Sequence, residues 1–183
     1  MSYEEYVRLE AATPETKHEF LRGQVWAMAG GTPEHALYAS NLLRHIGNLL
    51  SGKPCSPFGS DLRVRIDATD RTTYPDAIVI CGPRALSTTD PLAVTNPVVI
   101  VEVTSDSTEA DDRGEKFAHY RHVSSLKEYV IVSHRQRRIE VYRRDGNTWT
   151  LREYRPREEV ELASLGVRLP VDAVYDDPTK PEP

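Results

Sequence analysis

Val98-Val99-Ile100-Val101-Glu102-Val103 sets one carboxylate among five β-branched aliphatic residues. A short run of this kind reads as a strand buried on both faces, the type found in the middle of an α/β sheet. An ionised carboxylate there is costly unless a cation or hydrogen bonds compensate it. A second acid opens a second expected core strand upstream, in Tyr74-Pro75-Asp76-Ala77-Ile78-Val79-Ile80. Two acids on two core strands point to a site where a metal ion offsets both charges. Glu102 alone fits a second reading equally well, as an acid near a strand end that meets water or an arginine. Asp76 tips the balance towards a site.

Working outward, Asp61-Leu62-Arg63-Val64-Arg65-Ile66-Asp67 alternates apolar and charged residues, the pattern of a strand with one wet face. Residues 81–97 read as a loop. Upstream, Ala39, Leu42, Leu43, Ile46, Leu49 and Leu50 recur at helical spacing over residues 34–51. His18 to Met28 reads as a hairpin turning at Arg22-Gly23, and Ser2 with Glu5 forms a capping box that opens a helix to about Ala11. Downstream, Asp112 to His122 reads as a helix and Tyr129 to Val132 as a buried strand. A second hairpin crosses Asp145-Gly146-Asn147. The order predicts an α/β fold: a mixed central β-sheet flanked by α-helices, with an N-terminal β-hairpin.

The 183 residues fit one domain over 1–175, with a charged, proline-rich tail at 176–183 expected to be disordered. Cys55 and Cys81 are too few and too far apart for a disulfide framework or a zinc cluster, and favour a reducing compartment. Met1-Ser2-Tyr3-Glu4-Glu5 lacks the apolar run of a secretory signal, and no stretch approaches the length of a membrane span. A cytoplasmic protein without membrane contact is expected. The formal net charge of −5 argues against a protein that coats nucleic acid through a broadly basic surface. It leaves room for clustered acids that hold a metal.

Within the expected helix, Asp112, Lys116 and Tyr120 share one face at intervals of four. A helix that starts beyond the end of the Glu102 strand and folds back over the sheet would aim Lys116 at the carboxylates. The alternative is a solvated lysine, the common fate of lysine on a helix.

These pieces together resemble the PD-(D/E)XK superfamily of restriction-endonuclease-like nucleases, and more closely its Uma-type branch. His18-Glu19-Phe20-Leu21-Arg22-Gly23-Gln24-Val25 is similar to the branch's opening hairpin, and Pro33-Glu34-His35 to the start of its first long helix. Pro75-Asp76 is similar to the PD element, Val101-Glu102-Val103-Thr104-Ser105 to the branch's second acidic strand, and Asp112-Arg113-Gly114-Glu115-Lys116 with Tyr120 to its helix. Glu128-Tyr129-Val130-Ile131-Val132 resembles the strand that follows. The likeness runs over roughly residues 1 to 175. One departure stands out: the superfamily usually places lysine two residues after the second acid, where this chain has Thr104. The resemblance transfers that role to Lys116.

The resemblance implies a Mg²⁺-dependent DNA endonuclease, with Mn²⁺ as a possible substitute. Asp76 and Glu102 are expected as metal ligands, the Val103 carbonyl as a further one, and Lys116 as the group that orients water and meets developing charge. Glu19 is carried over as a catalytic residue binding a second metal or a metal water, against the reading of an acid beside a hairpin turn. His35 fits a phosphate contact, a partner of Glu19, or a helix cap. Asp61 fits a supporting carboxylate or a turn acid, and Tyr120 completes the secondary candidates. Arg135-Gln136-Arg137-Arg138 reads as a solvated turn, or with Arg63, Arg65, Arg143 and Arg144 as a phosphate-tracking face. A homodimer is expected, because cutting both strands needs two sites. Two other readings remain: a nucleic-acid-binding or interaction module with weakened catalysis, and a metal-dependent hydrolase of another phosphoester.

Overall fold

In the computed structural model, which describes residues 1–28 and 30–180, the chain opens with α1 (Tyr3–Ala12). Its capping box is formed: the Glu5 N–H donates to Ser2 Oγ at 3.2 Å, and the Ser2 N–H donates to the Glu5 carboxylate at 2.6 Å. β1 (His18–Leu21) and β2 (Gln24–Ala27) make the expected hairpin, with Arg22 and Gly23 at φ of 48° and 87° in its turn. α2 (Pro33–Leu49) follows its Thr32 cap. The middle of the chain supplies β3 (Cys55–Gly59), β4 (Arg63–Ile66), β5 (Arg71–Thr73), β6 (Ala77–Cys81), β7 (Ala93–Val94) and β8 (Val99–Val103). Two short helices, α3 (Glu109–Arg113) and α4 (Glu115–Tyr120), lead to β9 (Glu128–Val132), β10 (Ile139–Asp145) and β11 (Thr148–Tyr154). The hairpin of β12 (Glu159–Leu162) and β13 (Val167–Pro170), then α5 (Val171–Val174), complete the order.

The central sheet has six strands in the order β11-β10-β9-β8-β6-β3, and a second sheet runs β2-β1-β5-β4-β7. β8 lies in the middle of the first, parallel to β9 and antiparallel to β6. All five β8 residues are buried. Strand alternation sends them to opposite faces. Val99, Val101 and Val103 pack with Leu42 and Ile46 of α2 and with Leu50 at its C-terminal end, whereas Ile100 packs with Tyr120, Tyr129 and Ile131. Each such valine contributes roughly 1.5–3 kcal/mol on full burial. Glu102 shares the face of Ile100, the face that α4 covers, and so points under a helix rather than into the α2 core.

Four sequence readings need correction. The helix expected over 112–122 is two helices broken at Gly114, where a Cβ would stand 3.0 Å from the Ala110 carbonyl oxygen. The two arginines at the centre of the expected wet face of residues 61–67 are buried: Arg63 binds Asp90 at 2.6 Å, and the Arg65 guanidinium lies 3.7 Å over the Tyr3 ring. Asp90 itself belongs to the expected loop, which also holds β7. Cys55 and Cys81 are bonded as a disulfide, because antiparallel β3 and β6 set them directly opposite despite 26 residues of separation. β12 and β13 are additions that no local pattern predicted. Of the expected tail, Asp176 and Lys180 contact α2 through Asn41 and Glu34, while 181–183 lie outside the described residues. Among the described residues no helix is long and apolar enough to cross a membrane.

Candidate active site

Asp76 ends the connection into β6, and its Oδ2 accepts a hydrogen bond from the Val103 N–H at 2.7 Å. Ala77 pairs with Val101, so continuing that antiparallel register places Asp76 opposite Glu102. Both acids line one cavity of about 470 Å³, together with Glu19, His35, Asp112 and Lys116. The two strands therefore bring the two acids to the same end of the sheet.

Glu102 is 3% exposed. Its Oε1 accepts from Tyr120 Oη at 2.6 Å and from Lys116 Nζ at 3.3 Å, and among the described residues Oε2 receives no hydrogen bond. Burial, with the charges of Asp112 and Asp76, pushes its carboxyl up to about 8, against the pull of Lys116 and Tyr120. Lys116 is buried as well. Burial works against its charge, yet Glu102, Glu19 and Asp112 outweigh that and hold the ammonium well above the usual lysine range. The break at Gly114 does not separate the two contacts, since Lys116 and Tyr120 both lie on α4.

Glu19 is buried in β1, where Thr73 Oγ1 donates to its Oε1 and Arg71 Nη2 lies 3.4 Å from its Oε2. His35, in the first turn of α2, contacts Asp76 Oδ2 through Nε2 at 3.2 Å rather than Glu19. That hydrogen bond raises the imidazole pKa against burial. Asp61 is not brought to the cavity: its side chain is 95% exposed and pairs with Lys17. Four of the arginines read as a phosphate-tracking face, Arg63, Arg65, Arg143 and Arg144, are tied elsewhere. Arg63 and Arg65 are buried in ion pairs, Arg143 binds Glu128 at 3.0 Å, and Arg144 stacks on Trp149 while donating to backbone carbonyls. Trp149 packs edge-on against Phe117, and Trp26 stands at the cavity wall.

Asp112, which the sequence places on the face of Lys116 and Tyr120 without a role in the site, lines the cavity as well. It is 1% exposed with Oδ1 3.1 Å from Lys116 Nζ, off hydrogen-bonding geometry, so that among the described residues neither oxygen has a hydrogen bond. Burial raises its pKa. The signal was present in its spacing of four from Lys116. His134 and Thr104 also line the cavity, and no local pattern could have joined them across 30 residues.

Among the described residues no three His, Cys, Asp or Glu side chains form a ready-made metal cage. The paired carboxylates of Asp76 and Glu102 nonetheless suit a hard divalent ion. Mg²⁺ keeps several waters and is usually held by one or two carboxylates plus substrate phosphate. Burial is the main cause of the upward push on Glu102, and the charges of Asp112 and Asp76 add a part that a cation would relieve.

The sheet, its flanking helices and the paired acids define a restriction-endonuclease-like fold. A solved structure with this fold, a "putative nuclease belonging to DUF820" from Anabaena variabilis, superposes with a TM-score of 0.72 at 15% identity, covering 88% of this chain and 90% of that one. The uncharacterized protein slr1290 of Synechocystis sp. is 38% identical over 176 residues, which span 96% of this chain and 91% of its own. A second Synechocystis protein, sll1609, is 33% identical over 150 residues, covering 81% and 84%. The chain belongs to the Uma2 family, described as "Putative restriction endonuclease", which it matches over residues 3–172. The family resemblance read from the sequence is thus borne out, and with it a nuclease-like function.

Proposed function

We propose that the protein is a Mg²⁺-dependent endonuclease that hydrolyses phosphodiester bonds of DNA. The observation that carries this reading is the buried Glu102, held between Lys116 and Tyr120 over a cavity it shares with Asp76. Asp76 and Glu102 would hold the ion, with the Val103 carbonyl beside them. Bound there, Mg²⁺ or Mn²⁺ supplies a Lewis acid that activates water and neutralises phosphate charge.

The chain's own residues do the rest. The Val103 N–H and His35 fix the Asp76 carboxylate from two sides. Tyr120 fixes Glu102 and, among the described residues, leaves Oε2 without a protein donor. Lys116 places a compact ammonium beside Glu102, where it orients the attacking water and stabilises charge developing on phosphorus. Glu19, steadied by Thr73 and Arg71, would hold a water of the ion's shell. Each chain carries one such site, so cutting both strands calls for a homodimer on the substrate.

The test is cleavage of plasmid, single-stranded DNA and RNA with Mg²⁺, Mn²⁺ or EDTA, beside Glu102→Ala. Metal-dependent cutting of DNA that Glu102→Ala abolishes is the expected result. Cutting that survives both EDTA and Glu102→Ala would end this reading, and preference for RNA would reassign the substrate.

A further inference from the structure

β8 and β9 run parallel with Val103 opposite Val132, and the Thr104 N–H donates to the Val132 carbonyl at 2.9 Å. The chain therefore leaves both strands at the same end, with Thr104 on one and Ser133-His134 on the other. Thr104 is two residues after Glu102 and shares its face. It occupies the position at which the sequence likeness led us to expect lysine, and its hydroxyl is fully buried and cannot carry charge.

What that hydroxyl does instead is hold an imidazole. Thr104 Oγ1 lies 2.8 Å from His134 Nδ1 and accepts the His134 backbone N–H at 3.2 Å. With Nδ1 fixed, Nε2 faces Asp106 Oδ1 at 3.0 Å. The same oxygen takes Arg135 Nη2 at 2.7 Å, while Arg135 Nε reaches Glu109 at 3.2 Å. Asp106 is 84% exposed, so water could solvate it fully. One of its oxygens is nevertheless gripped by two donors from a neighbouring strand end. His134 and Arg135 hold that carboxyl below its ordinary range. A backbone phosphate oxygen asks for the same partners, an imidazole and a guanidinium converging on one anionic acceptor.

We propose that His134 and Arg135 form a second phosphate-binding position at the mouth of the cavity, taking a nucleic-acid backbone phosphate next to the one being cut. Asp106 fills it in the free protein as an internal stand-in that the substrate displaces. This rests on the nucleic-acid reading above and adds to it a subsite built from residues outside the carboxylate centre. It also gives Thr104 a purpose: the side chain brings no charge to the cavity itself and anchors the imidazole that meets the anion. An ordinary surface ion pair would predict the opposite behaviour, with no effect of Asp106 or Arg135 on substrate.

The experiment follows anisotropy of a short fluorescent DNA duplex across a salt series, with Ca²⁺ in place of Mg²⁺ to slow hydrolysis, for the folded variants Arg135→Ala, His134→Gln and Asp106→Asn. Arg135→Ala and His134→Gln should each weaken binding about tenfold. Arg135→Ala should also reduce the salt slope by about one, and Asp106→Asn should tighten binding. In steady-state cleavage with Mg²⁺ the first two should raise KM and leave kcat unchanged. Unchanged affinity and slope in Arg135→Ala with unchanged affinity in His134→Gln would overturn the proposal, as would weaker binding by Asp106→Asn. Should the wild-type protein bind no DNA, the nucleic-acid reading falls, and inorganic phosphate decides on the clamp separately. A saturable shift of the His134 imidazole NMR signals in Asp106→Asn, lost when Arg135→Ala is added, would retain the oxyanion clamp; no shift would overturn it.

Discussion

Lys116 stands between two buried carboxylates, 3.3 Å from Glu102 and 3.1 Å from Asp112. A solvated lysine could be removed with little effect on stability. This one is buried between two acids, and its loss leaves either of them, once ionised, without a counter-charge. Lys116→Ala should lower cleavage about a hundred- to thousandfold, as expected for one lost transition-state contact. It should also cost up to about 3 kcal/mol of stability. The double change Lys116→Met with Asp112→Asn separates the two effects, since it replaces the ion pair with neutral groups of similar size. Urea melts should recover most of the wild-type stability while plasmid cleavage stays absent. Recovery of cleavage in the double variant would remove Lys116 from the chemistry. Retained stability in Lys116→Ala alone would mean that Glu102 and Asp112 simply take up protons, consistent with the upward push on both.

The helices and sheet edges show which signals were legible before the structure. The α1 cap, the β1–β2 turn and the buried β8 run were readable because each depends on neighbours within a few residues. The carboxylate pair was readable because Glu102 sits inside a buried strand and Asp76 directly before another. The arginines of β4 misled, because alternation reports charge and not exposure, and their partner Asp90 lies in a segment without local pattern. The helix over 112–122 looked continuous from the spacing of Asp112, Lys116 and Tyr120, yet Gly114 breaks it at φ −107° and ψ −92°. Gly114→Ala presses a methyl group to 3.0 Å from the Ala110 carbonyl. It should cost about 1 kcal/mol and turn α4 enough to lower kcat; unchanged kcat would show that the break does not set the Lys116 angle. The β3–β6 pair carries the other element-level expectation. A disulfide across 26 residues restricts the unfolded chain by about 3 kcal/mol. Reduction, or Cys55→Ser with Cys81→Ser, should therefore lower the melting temperature while the Asp76 end of β6 keeps its activity. Equal melting with and without reductant would show that the staple adds nothing.

For the whole molecule, the cavity's surplus of acids links folding to pH and to metal. An unfolded glutamate loses its proton near 4.5, whereas folded Glu102 keeps its proton to about 8. Between those values the folded chain binds more protons than the unfolded one, so stability falls as pH rises. The contribution is complete below about 4.5 and lost as pH passes through about 8. His35, whose pKa is also raised, acts with the same sign near neutrality. On the proposed function Mg²⁺ should oppose this trend, because it would bind the ionised carboxylate and only in the folded chain. At a hundredfold excess over its Kd it should add about 2.7 kcal/mol, and its benefit should grow with pH across the window in which Glu102 ionises. Thermal melts with EDTA or Mg²⁺, run between pH 5 and pH 8 for wild type and Glu102→Gln, read both effects. The wild-type melting temperature in EDTA should fall across the range, and Mg²⁺ should raise it more at pH 8 than at pH 6. Glu102→Gln should flatten most of the decline, leaving the His35 part, and remove most of the Mg²⁺ gain. A wild-type curve that is flat in EDTA would contradict the desolvated state of Glu102. A Mg²⁺ gain that is the same in Glu102→Gln would place the ion somewhere other than between Asp76 and Glu102.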